Sequence, residues 1–125
     1  MEASALRAGR ALGPPRLVLR AAGDERLIAR IRAGDDRAFE ILFERYERPL
    51  LSFCRHMLGR REEAEDAVQQ AFMSAFAALR RSERDINVRP WLFTIARNQC
   101  LSMLRARRDS VPLEDAEPAF ECLSA

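Results

Sequence analysis

Apolar residues in this chain recur every three or four positions, the spacing that puts side chains on one face of an α-helix. The longest run covers residues 36–58, where Phe39, Leu42, Phe43 and Tyr46 begin the pattern. No segment alternates apolar and polar side chains in the way a half-buried strand does. The periodicity therefore predicts an all-α fold.

The same pattern divides the chain into four helices separated by turn-forming residues. Asp24 and Asp35 are predicted N-caps, since an aspartate carboxylate accepts a hydrogen bond from the first helical turn. Gly34 and Gly59 follow the first two helices, because glycine readily adopts the positive φ that ends a helix. The predicted helices cover residues 24–33, 36–58, 62–79 and 90–108. We therefore expect a compact bundle of three long helices plus a short N-terminal helix.

The two ends of the chain differ from its periodic middle. The first 23 residues contain scattered arginines and the Pro14–Pro15 pair, which interrupts the apolar core that a signal peptide needs. The last 17 residues are acidic and show no sustained period. We predict a disordered leader over 1–23, a helical domain over 24–108 and an acidic linker or tail over 109–125.

Composition argues against several functional classes. The chain has no run of about 20 apolar residues, so we expect no membrane span. Its three cysteines have no CxxC spacing, which is typical of reduced thiols in a cytoplasmic protein. With one histidine in the whole chain, we expect neither a metal nor another cofactor. Neither a nucleophile–base pair nor a glycine-rich phosphate loop is apparent, and we therefore expect no enzymatic activity.

Charge is unevenly distributed along the chain, although the net charge is only +2. All 21 basic residues are arginine, whose planar fork suits phosphates and base edges. Residues 96–108 contain arginines and no acid, whereas residues 109–125 contain acids and no base. This separation makes the last predicted helix a candidate surface for an anion.

One face of that helix is both basic and hydrogen-bonding. At about 100° per residue, Asn98, Ser102 and Arg105 share a narrow sector, and Arg97 and Arg108 lie beside it. The residues alone leave two interpretations open. The face is either a solvated surface whose arginines complement the helix dipole, or a contact for nucleic acid.

The preceding helix carries a different strip. Glu62, Asp66, Gln69 and Met73 recur at three- and four-residue spacing. They form either an ordinary exposed face or a docking surface for a basic partner helix. The connection over 80–88 is either a solvated turn or the wall of a pocket for an extruded base.

Four blocks of sequence, in this order, resemble the second conserved region of the extracytoplasmic-function group of the sigma-70 family. They are AGDDRAF at 33–39, FERY at 43–46, AEDAVQQAF at 64–72 and PWLFTIARN at 90–98. The resemblance implies a transcription initiation factor domain that binds core RNA polymerase and the minus-ten promoter element.

The resemblance also implies roles for individual residues. Asp66 and Gln69, with Gln70 and Met73 as secondary candidates, would contact the clamp helices of the polymerase β′ subunit. The last helix would hold the non-template single strand of promoter DNA, while Trp91 would anchor that helix to the bundle. Asn98 would contact a base, and Arg97, Ser102, Arg105 and Arg108 are the other candidate DNA contacts.

The chain departs from the family pattern in three places. The loop over 81–87 lacks the usual aromatic residue and glycine turn, and Thr94 stands where a basic residue is frequent. The resemblance also does not extend to the helix-turn-helix domain that normally follows, which we expect to be absent. The alternative function is therefore an interaction module that binds polymerase or an anti-sigma partner without productive DNA recognition.

Overall fold

A computed structural model describes residues 13–109, and all regular structure within that range is helical. The helices are α1 (Arg16–Ala21), α2 (Asp24–Arg32), α3 (Asp36–Leu58), α4 (Arg61–Arg81) and α5 (Val88–Asp109). The prediction of an all-α bundle with three long helices and a short one before them is confirmed. The long helices begin and end within two residues of their predicted bounds.

Two glycines and one aspartate set the limits of α2 and α3. Gly34 and Gly59 have φ values of 97° and 82°, so both adopt the left-handed conformation that ends a helix. Asp35 is the N-cap of α3, and its carboxylate accepts a hydrogen bond from the Arg37 amide at 3.1 Å. The N-cap prediction is thus confirmed for Asp35.

The N-cap prediction for Asp24 is wrong, because Gly23 is the N-cap of α2. The Asp24 carboxylate instead accepts hydrogen bonds from the Tyr46 hydroxyl and, at 2.8 Å, from Arg45 Nη1. Burial and the contact with this carboxylate raise the pKa of Tyr46 to about 12. Asp24 therefore fixes the start of α2 against the middle of α3.

Helix α1 lies within the segment predicted to be a disordered leader. That prediction is wrong for residues 16–21, because Leu19 is buried and two arginines of α1 form ion pairs with α3. Arg16 contacts Glu40 and Glu44, and Arg20 contacts Glu44, at 3.2–3.4 Å. The predicted leader over 1–12 and the predicted tail over 110–125 lie outside the described residues.

The hydrophobic core lies between α2, α3, α4 and α5. Alanines at 64, 67, 71 and 75 give α4 a smooth buried face with no exposed area, so neighbouring helices approach it closely. Cys54 of α3 contacts Cys100 of α5 in the same core. Leu50 also belongs to this core, and none of the three has exposed area. Both cysteines are buried core residues, and contact with Cys100 together with burial raises the pKa of the Cys54 thiol.

Replacing Asp35 with alanine removes both the cap of α3 and an anion that lies between Arg30 and Arg37. The free energy of unfolding should fall by about 1–2 kcal/mol, as measured by urea denaturation. Asp36→Ala changes an exposed aspartate one residue later and should cost less. Unchanged stability of the Asp35→Ala variant would contradict the assigned role.

The same carboxylate predicts a dependence of stability on pH. Burial alone would raise the pKa of Asp35, but hydrogen bonds from Arg37 and Arg30 lower it below its ordinary value of 3.8. Since the folded-state pKa is below the unfolded-state value of 3.8, the ionised group stabilises the fold fully above that unfolded-state value. The contribution is lost as the pH falls through the folded-state pKa. The stability difference between Asp35→Asn and the unchanged protein should therefore be largest near neutral pH and vanish in acid.

Candidate nucleic-acid and protein interfaces

Helix α5 presents one face to the core and the opposite face to solvent. Its buried residues Val88, Leu92, Ala96, Cys100 and Leu104 are four positions apart and pack towards α3 and α4. This spacing fixes the rotation of the helix about its own axis. The sector of α5 centred on residue 98 consequently faces the solvent.

All five candidate DNA contacts lie on that outer sector or beside it. Within residues 13–109, no carboxylate lies within ion-pair distance of Arg97 or Arg105. Two guanidinium groups, an amide and a hydroxyl are thus available on one strip of the surface. We call this the α5 strip; its exposed members are Arg97, Asn98, Ser102, Arg105 and Arg108.

Arg107 differs from the arginines of the α5 strip. It is half-buried, donates a hydrogen bond to the Leu58 carbonyl at 3.3 Å, and forms an ion pair with Glu63. These contacts hold the carboxyl end of α5 against the turn between α3 and α4. Arg107 therefore has a structural role.

Two residues near the start of α5 also have structural contacts. Trp91 is half-buried and packs against the core, which agrees with its expected anchoring role. The Thr94 hydroxyl donates to the Pro90 carbonyl at 2.8 Å, one turn earlier in the same helix. Its hydroxyl is thus occupied by the backbone of α5.

The connection before α5 borders an open hollow. Ile86 is half-buried, and the Arg84 carbonyl accepts a hydrogen bond from Arg32 of α2 at 2.7 Å, so the loop is tied to the bundle. We call this the acidic hollow; its lining includes Asp24, Glu25, Asp85 and Asn87. Asp24 is already paired with Arg45, but the Glu25 and Asp85 carboxylates would repel a phosphate. They and the Asn87 side-chain oxygen can accept hydrogen bonds from the amino group of a base.

The exposed residues of α4 form a second surface. Met73 is 64% exposed, unusually for a large apolar side chain. The first residue of this surface, Asp66, follows Glu65, which pairs with Arg61 at 3.2 Å. We call this the α4 strip; its exposed members are Asp66, Gln69, Gln70 and Met73.

A phenylalanine groove between α3 and α4 borders the α4 strip, with Gln69 and Met73 on its rim. Its volume is about 320 Å³, and its aromatic lining residues are Phe39, Phe43, Phe72 and Phe76. The ring centroids of Phe39–Phe76 and Phe43–Phe72 are each 4.7 Å apart. The periodic pattern of the sequence contains Phe39 and Phe43 but does not reveal this groove. The signal available was two phenylalanine pairs, each with a four-residue spacing.

Membrane-spanning helices and metal-binding clusters are both absent from the part of the chain that the structure describes. Among residues 13–109, no helix is both long and apolar enough to span a bilayer. In the same part of the chain, no three side chains of the His, Cys, Asp or Glu type are grouped to bind a metal ion.

Comparison with known proteins gives a consistent assignment. The family model described as sigma-70 region 2 matches residues 42–110, more than half of the chain. The RNA polymerase sigma-H factor of Pseudomonas aeruginosa is 35% identical over 99 residues, which cover 75% of this chain and 51% of that protein. The ECF RNA polymerase sigma factor SigM of Mycobacterium tuberculosis is 38% identical over 100 residues, which cover 78% of this chain and 51% of that protein.

A third relative is the ECF RNA polymerase sigma factor SigW of Bacillus subtilis. It is 32% identical over 92 residues, which cover 74% of this chain and 49% of that protein. The chain thus spans about half the length of the curated relatives it matches. The chain belongs to the sigma-70 region 2 family, in the extracytoplasmic-function group that its four sequence blocks predicted.

Proposed function

We propose that this domain binds core RNA polymerase and the minus-ten promoter element, and so acts in transcription initiation. The observation that carries the proposal is the α5 strip, a row of exposed arginine, amide and hydroxyl groups on a helix held from behind by the core. The relatives named above are sigma factors. Since the chain spans only half their length, the activity of the whole factor is part of the proposal.

On DNA, the residues of the α5 strip would make two kinds of contact, to backbone phosphates and to a base. Arg97, Arg105 and Arg108 would contact phosphates, which position the strand, together with the Ser102 hydroxyl. The Asn98 side chain carries both a donor and an acceptor, the pair needed to read a base edge. A base captured by such contacts is stabilised relative to the stacked duplex. The strand held would be the non-template single strand, and the polymerase would supply the catalysis.

On the polymerase, the α4 strip and the phenylalanine groove would together face the clamp helices of the β′ subunit. Asp66 provides a negative charge that attracts a basic partner helix. Gln69 and Gln70 offer hydrogen bonds, and Met73 offers a flexible apolar contact beside the groove. Recognition would then follow the helix-in-groove mode.

Location and regulation follow from the same proposal. Bacterial transcription takes place in the cytoplasm, so we propose a cytoplasmic location. An anti-sigma factor, the remaining predicted partner, would have to cover the α4 strip or the α5 strip to prevent initiation.

Replacing Asn98 and Arg105 with alanine should weaken binding to a single-stranded promoter oligonucleotide about tenfold or more, because a base contact and a phosphate contact are both lost. The dependence of affinity on salt should become shallower by about 0.7 in logarithmic slope. Fluorescence anisotropy over a salt series measures both quantities. Arg26→Ala, an exposed arginine of α2, is the control. Unchanged DNA affinity in the double variant would favour the alternative of a pure interaction module.

Replacing Asp66 and Gln69 with alanine should weaken binding to polymerase and not binding to DNA. Binding to core polymerase should fall about tenfold, in the range of interface residues that carry much of the binding energy, while single-strand binding is kept. Glu25→Ala removes a carboxylate from another helix and should leave polymerase affinity unchanged. A titration of labelled domain with core polymerase tests this. Loss of DNA binding with intact polymerase binding would contradict the assignment.

A further inference from the structure

A basic groove lies at the carboxyl end of α3, apart from the α5 strip. Its volume is about 520 Å³, and its lining contains a hydroxyl and three guanidinium groups but no carboxylate. The lining residues are Arg48, Leu51, Ser52, Arg55 and His56 of α3, and Arg61 at the start of α4. Arg48, Leu51 and Arg61 also line a neighbouring hollow with the Glu47, Glu65 and Asp66 carboxylates, so the groove borders the α4 strip. No role assigned above uses Ser52 or Arg55.

The groove repeats the residue pattern of the α5 strip on a different helix. Arg48, Ser52 and Arg55 are four and three positions apart, so they share one sector of α3, and all three are exposed. The corresponding positions on α5 are occupied by an amide, a serine and an arginine with the same intervals. Two cations with a hydroxyl between them suit a row of phosphates.

The helix dipole explains only part of this charge. Arg55 and His56 lie in the last turn of α3, where cations complement the negative helix end. Arg48 lies about two turns before Arg55, and Arg61 belongs to α4. Within the described residues, no carboxylate lies within ion-pair distance of Arg48 or Arg55. Arg61 pairs with Glu65, but both side chains are largely exposed, so that pair is weak.

The position of the groove relates it to DNA on α5. The Arg107 contact with the Leu58 carbonyl brings the carboxyl ends of α5 and α3 together. The 22 residues of α5 span about 33 Å, close to one turn of duplex DNA. The amino end of α5 adjoins the acidic hollow, which repels phosphates. A DNA backbone that continues beyond α5 therefore finds complementary charge at the carboxyl end.

We propose that the basic groove binds backbone phosphates of the double-stranded DNA that borders the single strand on α5. Arg48 and Arg55 are seven residues apart, about 10 Å along α3, which corresponds to about three phosphates of one strand. The inference rests on the proposed binding of DNA by the α5 strip. The basic groove would extend the DNA-binding surface from the α5 strip around the carboxyl end of the bundle.

The test compares three probes that share one single-stranded segment: the segment alone, and two forks with a duplex arm on one side or the other. In the full chain carrying Arg48→Gln and Arg55→Gln, affinity should fall about tenfold for one of the two forks, the one whose duplex arm extends beyond the carboxyl end of α5. Its salt slope should become shallower by about 1.8, or 0.9 for each phosphate contact. Affinity for the single strand should stay within about twofold. Arg26→Gln removes one exposed charge elsewhere and should affect no probe.

Two results would overturn the proposal. An equal loss on all three probes would mean a general effect of net charge. Reduced binding to core polymerase with unchanged fork binding would mean that the groove takes an acidic protein segment. Failure of the proposed function can be distinguished from failure of this inference. In that case the unchanged chain would bind the single strand weakly, or the double variant Asn98→Ala with Arg105→Ala would bind it with unchanged affinity. Thermal unfolding of each variant, expected to be unchanged for exposed residues, excludes loss of the fold.

Discussion

The packing of α3 against every other helix is the constraint on which the rest of the structure depends. This helix contacts α1, α2, α4 and α5, and its residues Leu42, Leu50 and Cys54 have no exposed area. The alanine face of α4 allows close approach, and the four-residue spacing of buried residues on α5 then leaves one rotation for that helix. The outer sector of α5 is therefore determined by the core and not by the loop before it.

The long helices were predictable because their periodicity is repeated over five or more turns. The bounds of α3 match the expected residues 36–58, and Asp35 and Gly59 delimit it for local reasons of capping and positive φ. Helix α1 was not predictable, since six residues are too few to establish a period. Burial of Leu19 stabilises it, and exposed ion pairs to residues more than 20 positions away add little. A local pattern contains neither kind of contact.

The candidate surfaces were predictable to different degrees. A helical wheel identified the exposed face of α5, because the direction of a side chain on a straight helix depends only on its position. The phenylalanine groove and the basic groove each require residues from both α3 and α4. A single-sequence pattern does not specify which helix faces align, so both grooves emerge only from the tertiary structure. The contacts of DNA and polymerase with these surfaces stay proposals.

The central claim is that the core holds two separate faces in place, one for DNA and one for polymerase. Site-specific photo-crosslinking tests it most directly, with a photoreactive residue introduced at Ser102 or at Gln69 in a complex of the chain, core polymerase and promoter DNA. We expect the probe at position 102 to label the non-template strand and the probe at position 69 to label the β′ subunit. Labelling of β′ from position 102, or of DNA from position 69, would contradict the account.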